Sequence, residues 1–173
     1  MAENPSDPAA GGQAQPEPEA AEAPAPQIGI EAQYIKDLSF ENPLGPNAAA
    51  AIQKQPQVEV EVTTSARGLS PGRFEVSLII RGQAKTQDAT VFIAELTYAG
   101  VVTLTNVPNE AVKPVLFIEG ARLLFPFARN IIADVTRDGG FPPLFISPID
   151  FVQLYRDQHM AQDGSEDVGY GTA

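Results

Sequence analysis

The chain contains no cysteine, no tryptophan and a single histidine, His159. Without cysteine there is no disulfide framework and no thiolate metal site. One histidine rules out a His-cluster zinc site and leaves little room for a histidine-based triad. No apolar run approaches the roughly 20 residues that a membrane-spanning helix needs. The amino terminus shows neither the basic nor the apolar region of a secretory signal. A soluble, cytoplasmic protein with no direct membrane insertion is therefore expected. Nucleic acid is an unexpected partner, because no basic face is available to neutralise phosphates. Also missing are a Gly-x-Ser-x-Gly elbow, a P-loop, and a Gly-x-Gly-x-x-Gly after a strand. The residues thus predict a protein that is not an enzyme and holds no metal and no cofactor.

What is present begins with charge. The formal net charge is −11, but it is unevenly spread. Residues 1–26 hold five acids (Glu3, Asp7, Glu17, Glu19, Glu22) and no base, and three more (Asp163, Glu166, Asp167) follow Gln158. Eight of the eleven charges therefore sit in the ends, and residues 27–158 carry −3. Residues 1–26 are rich in Ala, Pro and Glu with no aromatic or β-branched side chain, a composition that buries too little to offset its ordering entropy. Three regions follow: a disordered acidic head (1–26), one folded domain (27–160) and a disordered tail (161–173). The domain is long enough for a sizeable core.

From Gln27 the chain alternates with period two. Ile28, Ile30, Ala32 and Tyr34 fall on one face of a first strand. Asn42 to Gln55, with Pro43, Gly45, Pro46 and a run of alanines, reads as a crossing loop. A second strand covers Val58 to Val62, a third Arg73 to Ala84 with Phe74, Val76, Leu78 and Ile80 on one face. A fourth runs from about Val91 to Thr105 with Phe92, Ala94, Leu96 and Tyr98 inward. Residues 68–72 and 85–88 are short enough for hairpins. Four such strands with one wet face predict a mainly antiparallel meander.

The remainder is helical, giving an α+β fold. From Asn109 to about Arg137 apolar residues occur on every side, and Pro114 and Pro126 should start or kink helical pieces. A sheet covers only one face of such a helix; either a second subunit or the chain's own long loop covers the other. A short last helix is expected with Ser147 as cap, Pro148 at the first position and Asp150 three residues after the cap. Its stripe of Phe151, Leu154 and Tyr155 suits core packing. Preceded by the stiff Phe141-Pro142-Pro143-Leu144 segment, it equally suits a lid over a groove. His159, near the end of this helix, reads as solvated rather than as a base.

On the outer side of the sheet, Glu59, Glu61, Glu75 and Glu95 point away from the apolar face, interspersed with Arg73 and Arg81. Ile79, Val91 and Ile93 point outward as well. Scattered exposed aliphatics are ordinary, whereas aliphatics ringed by carboxylates also fit docking of a basic partner. These carboxylates lack the burial that tunes catalytic acids.

Four segments, in order, resemble the SecB family of bacterial protein-export chaperones: Lys36-Asp37-Leu38-Ser39-Phe40-Glu41, Leu124-Phe125-Pro126-Phe127-Ala128-Arg129, Gly140-Phe141-Pro142-Pro143-Leu144, and Ser147-Pro148-Ile149-Asp150-Phe151. The resemblance implies a four-stranded sheet with a long kinked helix and a short C-terminal helix, assembled as a homotetramer, a dimer of dimers. Leu123, Phe127 and Ile131 would lie at the tetramer interface. It implies ATP-independent holding of unfolded precursor proteins and their delivery to the motor SecA. SecA docking would fall to Asp37, Glu41, Ile93 and Glu95. A client groove would be lined by Leu44 and Ile52 on the crossing loop and by Phe141, Leu144, Phe151, Leu154 and Tyr155 opposite. Unlike many members, the chain has no aromatic residue late in the crossing loop, from Ala48 to Gln55, which implies a shallower loop wall. A SecB-like chaperone dedicated to a toxin–antitoxin system is the alternative.

Overall fold

In the computed structural model, the described residues run from 24 to 160. The expected head and tail lie outside the described residues, apart from positions 24–26 that lead into the first strand. The His159 side chain lies outside them too. The fold is α+β. Strands β1 (Gln27–Glu41), β2 (Gln57–Ser70), β3 (Arg73–Lys85) and β4 (Thr90–Thr105) form one sheet in the order β1-β4-β3-β2. All neighbours are antiparallel. Only β2-β3-β4 is a meander; β1 joins beside β4, so the chain crosses from one edge to the other, a Greek-key order. The crossing segment is partly helical, with a 3₁₀ turn at Gly45–Asn47 and α1 at Ala48–Ile52.

Two bulges correct the alternation read from sequence. In β1, Ile28 and Ile30 lie opposite Leu104 and Val102, but the register shifts before Ala32, which faces Val101. One extra residue exchanges the two faces. Ala32 and Tyr34 therefore leave the face that Ile28 and Ile30 share. In β4, Ala84 pairs with Phe92 while Lys85 pairs with Thr90, so Val91 is the extra residue. Val91 is fully buried rather than outward.

A helical run packs across the sheet: α2 (Asn109–Pro114), a π turn (Val115–Gly120) and α3 (Ala121–Asp138). Neither proline starts a piece: Pro114 is the last residue of α2, where the helix passes into the π turn, and Pro126 sits inside α3. The sheet contributes Val76, Leu78, Ile80 and Leu96, and the helix Leu116, Leu124, Ala128 and Ile132, all at most 1% exposed. The last helix, α4 (Phe151–Tyr155), continues as a π turn through residues 156–160. Its cap is Asp150, whose carboxylate accepts from the N–H groups of Val152 and Gln153, both at 3.0 Å. Ser147 and Pro148 precede it without helical structure. A carboxylate that reaches two free helical donors makes a stronger cap than a hydroxyl three residues upstream.

Candidate functional surfaces

The apolar side of the sheet has a second, smaller cluster beyond the main core. Phe40 of β1, Phe92 of β4 and Phe141 place their rings 5.0 to 6.0 Å apart. Phe141 reaches this spot because Gly140 takes φ +88° just past α3, a left-handed value that disfavours a side chain. Pro142 and Pro143 then fix the direction of the chain. Thr136, fully buried, holds the segment down: its hydroxyl donates toward the Ile132 and Ala133 carbonyls and accepts from the N–H of Leu144 at 2.9 Å. Leu144 then settles over Gly82, where a Cβ would stand 2.7 Å from Leu144 Cδ2.

Between this segment and the crossing loop lies a cavity of about 260 Å³, lined by Ile52, Pro56, Val58, Val91, Phe92 and Phe141 to Leu144, with Ala84 beneath. The loop side is made of small residues: Ala48 and Ala51 are buried, and Leu44 and Ile52 pack against the cluster half-exposed. Of the expected groove residues, Leu44, Ile52, Phe141 and Leu144 are thus brought together. Phe151, Leu154 and Tyr155 are not among them; they pack on the main core. Phe151 is 2% exposed and meets Phe125 edge-on, and the Tyr155 ring lies 6.0 Å from that of Phe117. Pro56, Val58, Val91 and Phe92 had no sequence signal as lining residues, since a bulge and a long-range approach put them there.

On the outer face Glu41 lies opposite Ile93, Ser39 opposite Glu95, and Asp37 opposite Thr97, so Asp37, Glu41, Ile93 and Glu95 share one patch. Asp37 and Glu95 border a shallow depression of about 330 Å³ with Glu61, Ile79 and Arg81. Glu95 is not free: Arg81 holds it at 2.9 Å. Glu75, expected among the wet acids, is only 5% exposed. It accepts from Lys36 Nζ at 2.6 Å, from the Arg67 guanidinium at 3.1 and 3.3 Å, and from the Tyr34 hydroxyl. The Arg67 hydrogen bonds chiefly, with Lys36 and Tyr34 adding to them against the effect of burial, lower its pKa to about 2. The same bond raises the Tyr34 pKa above its ordinary value. Such a group is structural, since a carboxylate held this firmly accepts no proton near neutrality.

The third surface belongs to α3. Leu123 and Phe127 are 42% and 51% exposed, and Ile131 is half-buried against the core. Phe127 stacks on Tyr98 at 6.4 Å, leaving its other side open. Among the described residues no group of three His, Cys, Asp or Glu side chains could hold a metal ion, and no helix is long and apolar enough to cross a membrane.

The profile of the family described as Preprotein translocase subunit SecB matches residues 21–162. The chain belongs to the SecB family. It is 51% identical to Protein-export protein SecB of Azorhizobium caulinodans, over 80% of this chain and 86% of that one. Toward the protein of the same name from Xanthobacter autotrophicus it is 52% identical, over 81% and 89%. Among solved structures it resembles a SecB-like chaperone of Mycobacterium tuberculosis, in complex with a ChAD peptide from the HigA1 antitoxin. That likeness has a TM-score of 0.58 at 14% identity, covering 71% of this chain and 91% of that one, and it concerns the fold alone. SecB is a chaperone family, not an enzyme family.

Proposed function

We propose that this chain is a holding chaperone for preprotein export that keeps clients unfolded in the apolar cavity and passes them to SecA. The export role rests on family membership and on relatives at about half identity that are named for protein export. The toxin–antitoxin alternative is not favoured, because the antitoxin-bound chaperone shares only 14% of its sequence with this chain. The observation that carries the mechanism is the cavity at the Phe40–Phe92–Phe141 cluster: it is apolar, open to solvent and contains no reactive group. Burial of client side chains there contributes about 0.8 kcal/mol per methylene, enough for binding that still exchanges rapidly when repeated along an assembly.

In this reading Leu44, Ile52, Phe141 and Leu144 contact the client, with the half-buried Leu154 and Tyr155 at the flank and Phe151 supporting them from the core. A second copy covers Leu123, Phe127 and Ile131, and two such pairs make a dimer of dimers in the cytoplasm. Exposed apolar side chains on a helix already packed on its other face support that assembly. The Asp37, Glu41, Ile93 and Glu95 patch receives a basic segment of SecA, consistent with its acids and half-buried aliphatic. The test is suppression of aggregation of an unfolded precursor in the absence of ATP, followed by capture of SecA. Suppression by the native chain and its loss in Leu144→Asp, at unchanged oligomeric mass, supports the reading. Equal suppression by both proteins overturns the assignment of the cavity.

A further inference from the structure

Phe145 is the most exposed large apolar side chain among the described residues, at 68%. Its neighbours explain why. Leu144 is tied down over Gly82 and Ile146 is 6% exposed, and in an extended segment successive side chains point opposite ways. The Phe145 ring is left on the α3 side, where it borders a cavity of about 240 Å³ with Pro126, Arg129, Asn130 and Ala133. Arg129 is half-buried there and has no hydrogen bond or ion pair among the described residues. Helical spacing accounts for this, since the residues three and four away are Phe125, Pro126, Ile132 and Ala133, none of them acidic. The nearest carboxylate along the helix, Asp134, is already held by Arg137 at 2.8 Å and accepts from Asn130 at 2.8 Å.

A half-buried guanidinium without a counter-charge, set beside a bare ring, selects a segment that carries a carboxylate and an aromatic group a few residues apart. Residues 161–173 have that composition. They contain Asp163, Glu166 and Asp167 with no base, then Val168 and Tyr170, and Tyr170 is the one aromatic residue outside 24–160. They also start within reach. The ring of Phe151, at the start of α4, meets that of Phe125, one helical turn from Arg129. Residue 160 lies nine residues on, about 14 Å at helical rise. Glu166 and Tyr170 follow by six and ten residues, about 20 and 33 Å when extended, which spans the way back. The acidic head fits less well, because it has no aromatic residue and enters at Gln27 on β1, the opposite edge of the sheet from β2. The cavity is also offset by about a third of a turn from Leu123, Phe127 and Ile131, the strip assigned to a second copy.

We propose that the chain's own acidic tail docks in this cavity, with Glu166 or Asp167 on the Arg129 guanidinium and Tyr170 against Phe145 and Pro126. The contact gives Arg129 its missing counter-charge and removes the most exposed ring from water. It also places a cover on the outer side of the Phe141–Leu144 segment, opposite to the Phe40–Phe92–Phe141 cavity. Because attachment is intramolecular, a few weak contacts suffice to keep the tail in place, and salt loosens it.

The chain has no tryptophan, so Phe145→Trp places a sole indole in the cavity of the full-length protein. Its emission and its quenching by acrylamide report whether the cavity is covered. Adding Glu166→Gln, Asp167→Asn and Tyr170→Ser should shift the emission to the red and raise the quenching several-fold, with native circular dichroism. Arg129→Gln should do the same with the tail intact. Lys113 and Arg156, the other two cations with no carboxylate partner among the described residues, are the controls. Exchanging both for glutamine should leave the indole protected, and loss of protection there reduces the contact to unspecific charge and overturns the proposal. An indole equally protected with the native and the substituted tail, at unchanged oligomeric mass, gives the cavity to a second copy and also overturns it. An indole as open as free tryptophan in every form overturns it as well.

Discussion

The two ends of the sheet's apolar face are built from similar residues and finished differently. Beneath α3, Leu78, Ile80, Leu96, Leu124 and Ile132 interlock at 1% exposure or less. At the other end Phe40, Phe92 and Phe141 form an aromatic floor, but the cover is a crossing loop whose fully buried residues are the alanines Ala48 and Ala51, with Leu44 and Ile52 only half-buried. A cavity of about 260 Å³ remains there. A long amphipathic helix brings one branched side chain per turn to its contact and fills the space. A loop of small residues cannot do so. One end therefore supplies stability, and the other keeps apolar surface available at little cost to the first. The outer face repeats the contrast in charge: Glu75 is sealed by three donors, while Glu95 is 41% exposed with one partner.

The comparison breaks most directly at the packed end. Leu124→Ala should destabilise the chain by about 2–5 kcal/mol in urea unfolding, because the cavity it leaves is enclosed. A loss below 1 kcal/mol would mean the two ends are equally loose. Acid comes next. The Glu75 pKa falls from an ordinary 4.5 to about 2 on folding, so its stabilisation is complete above pH 4.5 and disappears as the pH drops toward 2. It amounts to something on the order of 3 kcal/mol. Glu75→Gln should flatten the acid limb of the stability profile, and an unchanged limb would remove Glu75 from it. At the open end Leu144→Ala should cost only about 1 kcal/mol of stability, because the residue is half-exposed. It should nonetheless weaken client binding, measured by fluorescence anisotropy. The smallest effect belongs to the exposed Arg81–Glu95 pair. Arg81→Ala should change stability by less than about 1 kcal/mol. By releasing Glu95 it should tighten a basic partner at low salt, and isothermal titration across salt concentrations would register this.

The packed end was the legible one. Period-two alternation marks β3 and β4 because one face of each is buried, and Phe74, Val76, Leu78 and Ile80 lie where that pattern puts them. The all-round apolar character of the helix is legible too, and Leu123 and Phe127 stay exposed because the sheet covers only its other side. What composition cannot carry is the bulge. An inserted residue after Ile30 or at Val91 reverses the faces without altering residue type, which is why Tyr34 and Val91 lie opposite to expectation. The candidate groove was half-legible. The stiff Phe141–Leu144 segment announces itself through its prolines, but the lining draws on β2, β3, β4 and the crossing loop, a meeting fixed only by topology. The Lys36–Glu75–Arg67 cluster was hidden for the same reason, since β1 and β3 meet across β4.

The Thr136 hydroxyl gives the open end a mechanical asymmetry. Leu144 is bolted through it to the last turns of α3, and those turns rest on the sheet. One wall of the cavity is therefore a rigid jaw that moves only with the long helix, and the alanine wall is the compliant one. A substitution at the half-exposed Ile52 can reshape what fits while the buried Ala48 and Ala51 keep their packing. Under the proposed client role, exchanging Ile52 should change which peptides bind, while exchanging Leu144 should change the jaw itself.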